Sequence, residues 1–343
     1  MNHEWKQFLE SAGARVDDGV ARFDGAPCDE SGLLCDLSHL GMIRVGGEDA
    51  TGFLQGQFTN DVTRVDEQHA QLSSYCTPKG RMLANFRLFR LGTDYLLQLP
   101  RSTHAGVLKR LPMFVLMSKV EIRDASDELA SIGLIGEAAR TALEAEFPRL
   151  PESPDEALNE KAMSLIRMPG SGGRFLLSGP VPALTGVWNR AVAAGARPGN
   201  AVCWALHEIR AGIPWVDEKT IEAFVPQMVN LQLINGVSFK KGCYTGQEVV
   251  ARMKYLGKLK RRMYLARVES DTPPRAGDAL FSSTSSSGQV AGRVVNAERS
   301  PQGGYELLAV AEIAAREGDG LHLWESDGPR LEFMPLPYPF EEA

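Results

Sequence analysis

No apolar run in this 343-residue chain approaches the ~20 residues of a bilayer-spanning helix, so no such helix is expected. The opening Met1-Asn2-His3-Glu4-Trp5-Lys6-Gln7-Phe8-Leu9-Glu10 has no apolar signal core and no run of arginines, so neither a secretory nor an organellar leader is expected. Glycine fingerprints of dinucleotide-binding and phosphate-loop folds are missing. Internal repeats and low-complexity linkers are missing too. Positive charge is in short supply: 37 Lys and Arg against 43 Asp and Glu give a net charge of −6. That balance speaks against broad, non-specific nucleic-acid binding and leaves only a local basic patch open. Cysteine is sparse, with Cys28, Cys35, Cys76, Cys203 and Cys243 scattered and never at Cys-x-x-Cys spacing. That excludes a zinc ribbon or a dithiol redox motif and points to a reducing compartment. A cytoplasmic, bacterial protein is expected.

The length leaves room for two or three domains, and the 43% hydrophobic and 23% charged content is that of a globular chain. Trp5, Phe8 and Leu9 recur at helical spacing, and Asp17-Asp18-Gly19 predicts a hairpin turn in residues 1–34. Alternation over 36–45 predicts a strand, followed by a short helix over 50–58. Pro78 and Gly80 punctuate a strand–turn–strand over 73–91, and 94–100 supplies the next strand of one antiparallel sheet. Helices are predicted over 102–116, 138–147, 181–194 and 200–212, the last ended by Gly212. Strands are predicted over 118–122, 129–136 and 174–179. The order fits an α+β fold with antiparallel sheets and packed helices. Beyond Gly257 the strands are short and closely spaced, with Ser282–Gly288 as a hairpin tip, which predicts a small C-terminal β-barrel. The expected division is 1–257, with a subdomain break near 120–160, and 258–343.

The stretch richest in chemistry is Lys240-Lys241-Gly242-Cys243-Tyr244-Thr245-Gly246-Gln247-Glu248. Thr245 and Glu248 have capping-box spacing, so a helix is predicted to start near Gly246. A thiol just before a helix N-terminus and beside two ammonium groups is favoured as thiolate. Glycines on both sides leave the sulfur open. The alternative is a small buried hydrophobe, a frequent fate of cysteine.

This stretch resembles the signature of the YgfZ-like branch of the glycine-cleavage T-protein superfamily. Thr59-Asn60-Asp61-Val62, the Pro78-Lys79-Gly80-Arg81 turn and Phe224-Val225-Pro226-Gln227-Met228-Val229-Asn230-Leu231 also resemble that family. The resemblance implies a T-protein-like fold and a folate-binding accessory factor of iron–sulfur cluster assembly or repair. Clients would include radical-SAM tRNA-modifying enzymes. No membrane and no direct nucleic-acid contact are implied. It marks Cys243 as the reactive thiol, framed by Lys241, Gly242, Tyr244, Gly246, Gln247 and Glu248. It places tetrahydrofolate or a derivative beside Trp204, Arg210, Gln227, Asn230, Leu40 and Asn85, and no stably bound metal. Leu40 would take the place of a second tryptophan, and Trp204 reads equally as a core residue or a pterin-stacking one. Gln227 and Asn230 read as loop holders or as ligand contacts. Arg210 stands where folate-binding relatives carry an acid, and would either alter how the pterin edge is read or pair with the glutamate tail.

Two enzyme readings compete. Tetrahydrofolate-dependent one-carbon transfer needs the family's acidic pair, and the matching positions here are Ala84 and Asn85, neither of which ionises as a carboxylate. A cysteine-nucleophile hydrolase needs a base beside the thiol, with His39 or His207 as candidates. A cluster takes about four thiolate ligands, so one motif cysteine could hold a cluster sulfur or iron only transiently, or form a mixed disulfide with a partner.

Overall fold

The computed structural model describes all residues except 27, 29–31, 283–289, 319 and 341–343. The chain divides into two compact, interleaved units. Met1–Leu54, Val62–Gln71 and Phe86–Trp204 form the first; Gln55–Asp61, Leu72–Asn85 and Ala205–Ala343 form the second. The expected boundary at 257/258 falls inside the second unit.

In the first unit, a six-stranded sheet has the order Ala157–Glu160, Met163–Arg167, Phe175–Gly179, Ala130–Ile135, Leu33–Asp36, Arg197–Gly199. Every residue of Ala130–Ile135 is buried, as its continuous apolar run requires of a central strand. All pairings are antiparallel but one: Arg197–Gly199 runs parallel to Leu33–Cys35. Helix His3–Ser11 is capped by the Asn2 side chain, which accepts from the Trp5 amide. It buries Trp5 and Leu9 in one core with Leu143, Leu184 and Trp188, and Trp5 meets the Trp188 ring edge-on at 5.8 Å. The hairpin Ala157–Glu160/Met163–Arg167 escaped sequence analysis. Its two-residue turn puts Lys161 and Ala162 at φ of +49° and +62°, positions usually marked by Asn or Gly. A second antiparallel sheet joins residues 86–91, Asp94–Pro100, Leu40–Gly46 and Glu121–Asp124. The predicted helix over 102–116 stops at Arg110 and tightens to a 3-10 turn over Leu111–Phe114, because Pro112 cannot donate to an α-helical ladder.

Cys28 and Cys203, 175 residues apart in sequence, are joined in a disulfide with their Cα atoms 5.1 Å apart. No local spacing marked this pair, which only the tertiary fold brings together, and the expectation of a reducing compartment did not foresee the bond. Cys35 and Cys76 are free and buried, and Cys243 is free and exposed.

In the second unit, Leu72–Cys76 and Met82–Asn85 lie side by side across the Pro78-Lys79-Gly80-Arg81 turn. A six-stranded antiparallel sheet follows, curled into a half-barrel, in the order His322–Leu323, Ala279–Phe281, Gly292–Arg299, Tyr305–Glu312, Arg261–Val268, Glu332–Met334. The α+β architecture with antiparallel sheets and packed helices is therefore as expected. Of the predicted hairpin tip, 283–288 lies outside the described residues. Among the described residues, no helix is long and apolar enough to cross a membrane.

Candidate functional site

The cysteine loop belongs to the second unit and is held from behind. Lys241 is buried, and its Nζ donates to the carbonyl oxygens of Gln55 (2.6 Å), Phe58 (2.6 Å) and Asn60 (3.0 Å). Three N–H donors meet three acceptors, so the ammonium is fully satisfied. Burial lowers its pKa to about 8, with Asp61 pulling the other way. Lys241 is thus the clamp that ties the loop to residues 55–60, and its donors point at backbone. The same ammonium lies 5.0 Å from the centre of the Tyr244 ring. Tyr244 is buried, and burial raises its hydroxyl pKa well above the usual tyrosine range. Asn60, which sequence reasoning did not single out, completes the clamp: its Nδ2 donates to Leu72 O (2.9 Å) and Asn235 O (2.6 Å).

The two glycines flanking the loop do different work. Gly246 has φ of +86°, and a Cβ there would sit 2.4 Å from Thr77 O and 3.0 Å from the Gly80 backbone. It is required where the helix start meets the Pro78–Arg81 turn. Around Gly242 a Cβ would meet nothing within 4 Å. The space beside Cys243 is open, and its thiol is exposed, with no hydrogen bond or ion pair among the described residues.

Helix Gln247–Tyr255 begins four residues after Cys243, with Gly246 as N-cap and no side-chain cap. The predicted capping box does not form, because the left-handed Gly246 turns the chain differently, and the exposed Glu248 pairs instead with Arg252 at 2.5 Å. Gln227 anchors this helix by donating to Val250 O at 2.5 Å, and its Oε1 is buried without a hydrogen-bond partner among the described residues. Asn230, at φ +59°, donates to Met263 O (2.9 Å) and accepts from Met263 N (3.4 Å), fixing the first half-barrel strand.

Asn85, also in the second unit, is fully buried. Its Nδ2 donates to Pro214 O (2.7 Å) and its Oδ1 accepts from Val216 N (2.8 Å). A carboxylate accepts only and could not replace both contacts. Ala84 beside it is fully buried. Arg210 makes a two-pronged pair with the buried Glu306 (2.8 and 2.7 Å), which also accepts from Ser300. Glu306 was not legible as its partner because 96 residues separate them.

In the first unit, Trp204 and Leu40 come together in one apolar cluster with Cys203, Phe89 and Ile135. Trp204 is 3% exposed. Its ring lies so close to Gly133 that a Cβ there would sit 2.3 Å from it. The Arg174 guanidinium lies 5.0 Å from the ring centre. Gly133 interrupts an apolar strand, a sequence signal for close approach. His39 lies in the first unit and burial drops its pKa to about 4; His207 is buried in the second. Neither hydrogen-bonds the Cys243 thiol.

Comparison with known proteins adds the ancestry. Residues 13–157 match the model of the GCVT N-terminal domain. The aminomethyltransferase T of the glycine cleavage system from Bartonella henselae shares the fold, with a TM-score of 0.73 at 16% identity over 98% of this chain and 97% of that one. The tRNA-modifying protein YgfZ of Enterobacter sp. (strain 638) is 34% identical over 90% of this chain and 94% of its own. That of Colwellia psychrerythraea (strain 34H) is 34% identical over 83% and 86%. With identity at this level along nearly the whole chain, and the Lys-Gly-Cys-Tyr-Thr-Gly-Gln-Glu loop built on a T-protein scaffold, the chain belongs to the YgfZ family of the glycine-cleavage T-protein superfamily.

Proposed function

We propose that this protein is an accessory factor in tRNA modification that acts through Cys243 on iron–sulfur client enzymes, with a tetrahydrofolate as its ligand. The observation that carries the reading is the presentation of Cys243: an exposed free thiol in open space, on a loop fixed from behind by Lys241. A lone thiolate supplies one of the roughly four ligands a cluster needs, which suits transient contact with a client's cluster iron. The names of the relatives support the link to tRNA modification.

The fit to folate is partial. Asn85, Arg210 and Asn230 have their polar groups engaged within the protein, whereas Gln227 Oε1 is a buried acceptor without a partner among the described residues. A bound tetrahydrofolate would supply a one-carbon carrier. The chain itself offers no carboxylate at Ala84 or Asn85 to assist transfer, so accessory action is favoured over aminomethyl transfer.

The test is rescue of a deletion strain. Wild type should restore activity of a tRNA-thiolating cluster enzyme, and Cys243→Ala, folded and equally abundant, should not. Equal rescue by both would end the thiol reading. Folate is tested separately, by titrating tetrahydrofolate into the purified protein and into Gln227→Met; unaltered affinity in the variant would remove Gln227 from the ligand site.

A further inference from the structure

Charge is distributed very unevenly along the second unit. Between Lys240 and Arg262 there are eight cations and a single acid, Glu248, in a chain whose net charge is −6. Lys240, Lys254, Lys258 and Lys260 are exposed, and none pairs with a carboxylate among the described residues. Aromatic and apolar side chains are interleaved with them. Tyr255 and Leu256 are 66% and 86% exposed. The Tyr255 ring meets Phe239 edge-on at 6.3 Å, and Lys254 Nζ lies 4.3 Å from the Phe239 ring centre.

The same segment borders a cavity of about 850 Å³ within this unit. Phe224, Met228, Met253 and Val310 give it apolar walls, and Lys258, Lys260, Arg81 and Arg293 give it a basic rim. Of its acids, Glu312 is paired with Arg261 at 2.8 Å, which leaves Glu317. An apolar slot of this size suits a flat ring, and a rim of cations suits the phosphates joined to it.

We infer that this face binds RNA directly, with phosphates on the Lys254–Lys260 surface and one unstacked base in the cavity beside it. The whole-chain charge hides this, because a net charge of −6 includes a strongly positive stretch. Lysines that hold phosphates give affinity without reading sequence, and base–aromatic stacking tolerates any base. An acidic protein segment would satisfy the cations but leaves the apolar slot unexplained. The inference rests on the tRNA part of the proposed function and is independent of its folate part.

The experiment is fluorescence anisotropy with a labelled, unmodified tRNA transcript and the full-length protein, across salt concentrations. Wild type should bind with a steep salt dependence. Lys258→Glu/Lys260→Glu should weaken binding at least ~10-fold and lower the log–log salt slope by about 2, since each phosphate contact contributes about one unit. Met228→Trp, which pushes a large ring into the cavity, should weaken binding while leaving the slope unchanged. Circular dichroism melting confirms that both variants fold. Binding of equal strength by the charge-reversed protein overturns the inference, as does adenosine monophosphate competing as well as tRNA, which would mark a small-anion pocket. Unchanged tRNA binding combined with lost rescue would assign the face to an acidic protein partner, against the inference. Cys243→Ala separates the two readings: it should bind tRNA normally, so failed rescue with intact binding supports both, and normal rescue removes the thiol reading alone.

Discussion

The surroundings of Cys243 and of Trp204 are built on opposite principles. Trp204 is sealed in apolar packing, with its ring against the Gly133 backbone and Leu40, Phe89 and Ile135 in the same cluster. Cys243 makes no hydrogen bond or ion pair among the described residues; the loop is held one residue row behind, by hydrogen bonds from Lys241 and Asn60 to backbone carbonyls. The first arrangement gives stability to the residue itself. The second fixes the loop while leaving the thiol exposed, which is the arrangement the proposed role of Cys243 requires.

The difference predicts where substitution hurts. Trp204→Ala should cost about 3–5 kcal/mol, because it leaves a large cavity in close-packed surroundings; urea unfolding measures it, and a cost under 1 kcal/mol would show that the ring is not part of the core. Lys241→Met should cost about 3 kcal/mol by leaving three carbonyls without their donor, and should speed proteolysis at residues 55–60. Glu298 is the counter-example within the second unit, a half-buried carboxyl with no clamp. Burial alone pushes its pKa up to about 7 from 4.5. Its contribution to stability is therefore fully present below about pH 4.5 and is lost as pH rises through 7. Glu298→Gln should flatten that part of the stability–pH curve by roughly 1–3 kcal/mol, and an unchanged curve would show the carboxyl to be well solvated. Cys243→Ala should change stability by under about 0.5 kcal/mol while abolishing rescue, the sharpest separation of the two principles.

Local signals carried much of this molecule. The continuous apolar run at 130–135 specified a central strand, Gly212 ended its helix, and the alternating short strands beyond 257 specified the half-barrel. The cysteine loop was legible because its residue types and spacing are unusual, whatever surrounds them. The capping box misled for a local reason as well: Gly246 was free to take a left-handed conformation, and close approach to the Thr77–Gly80 turn required it.

The sequence by itself determined most of the element types, and it marked the superfamily and the cysteine loop by short runs of neighbouring residues. Only the tertiary structure decided which charges have partners. Arg210 found Glu306, Lys241 found the carbonyls of 55–60, Asn85 found the 214–216 backbone and Cys28 found Cys203. Those partners lie 96 to 186 residues apart in sequence. Donors and acceptors that meet across such distances are matched by the packing of the whole chain, and no local pattern records the match.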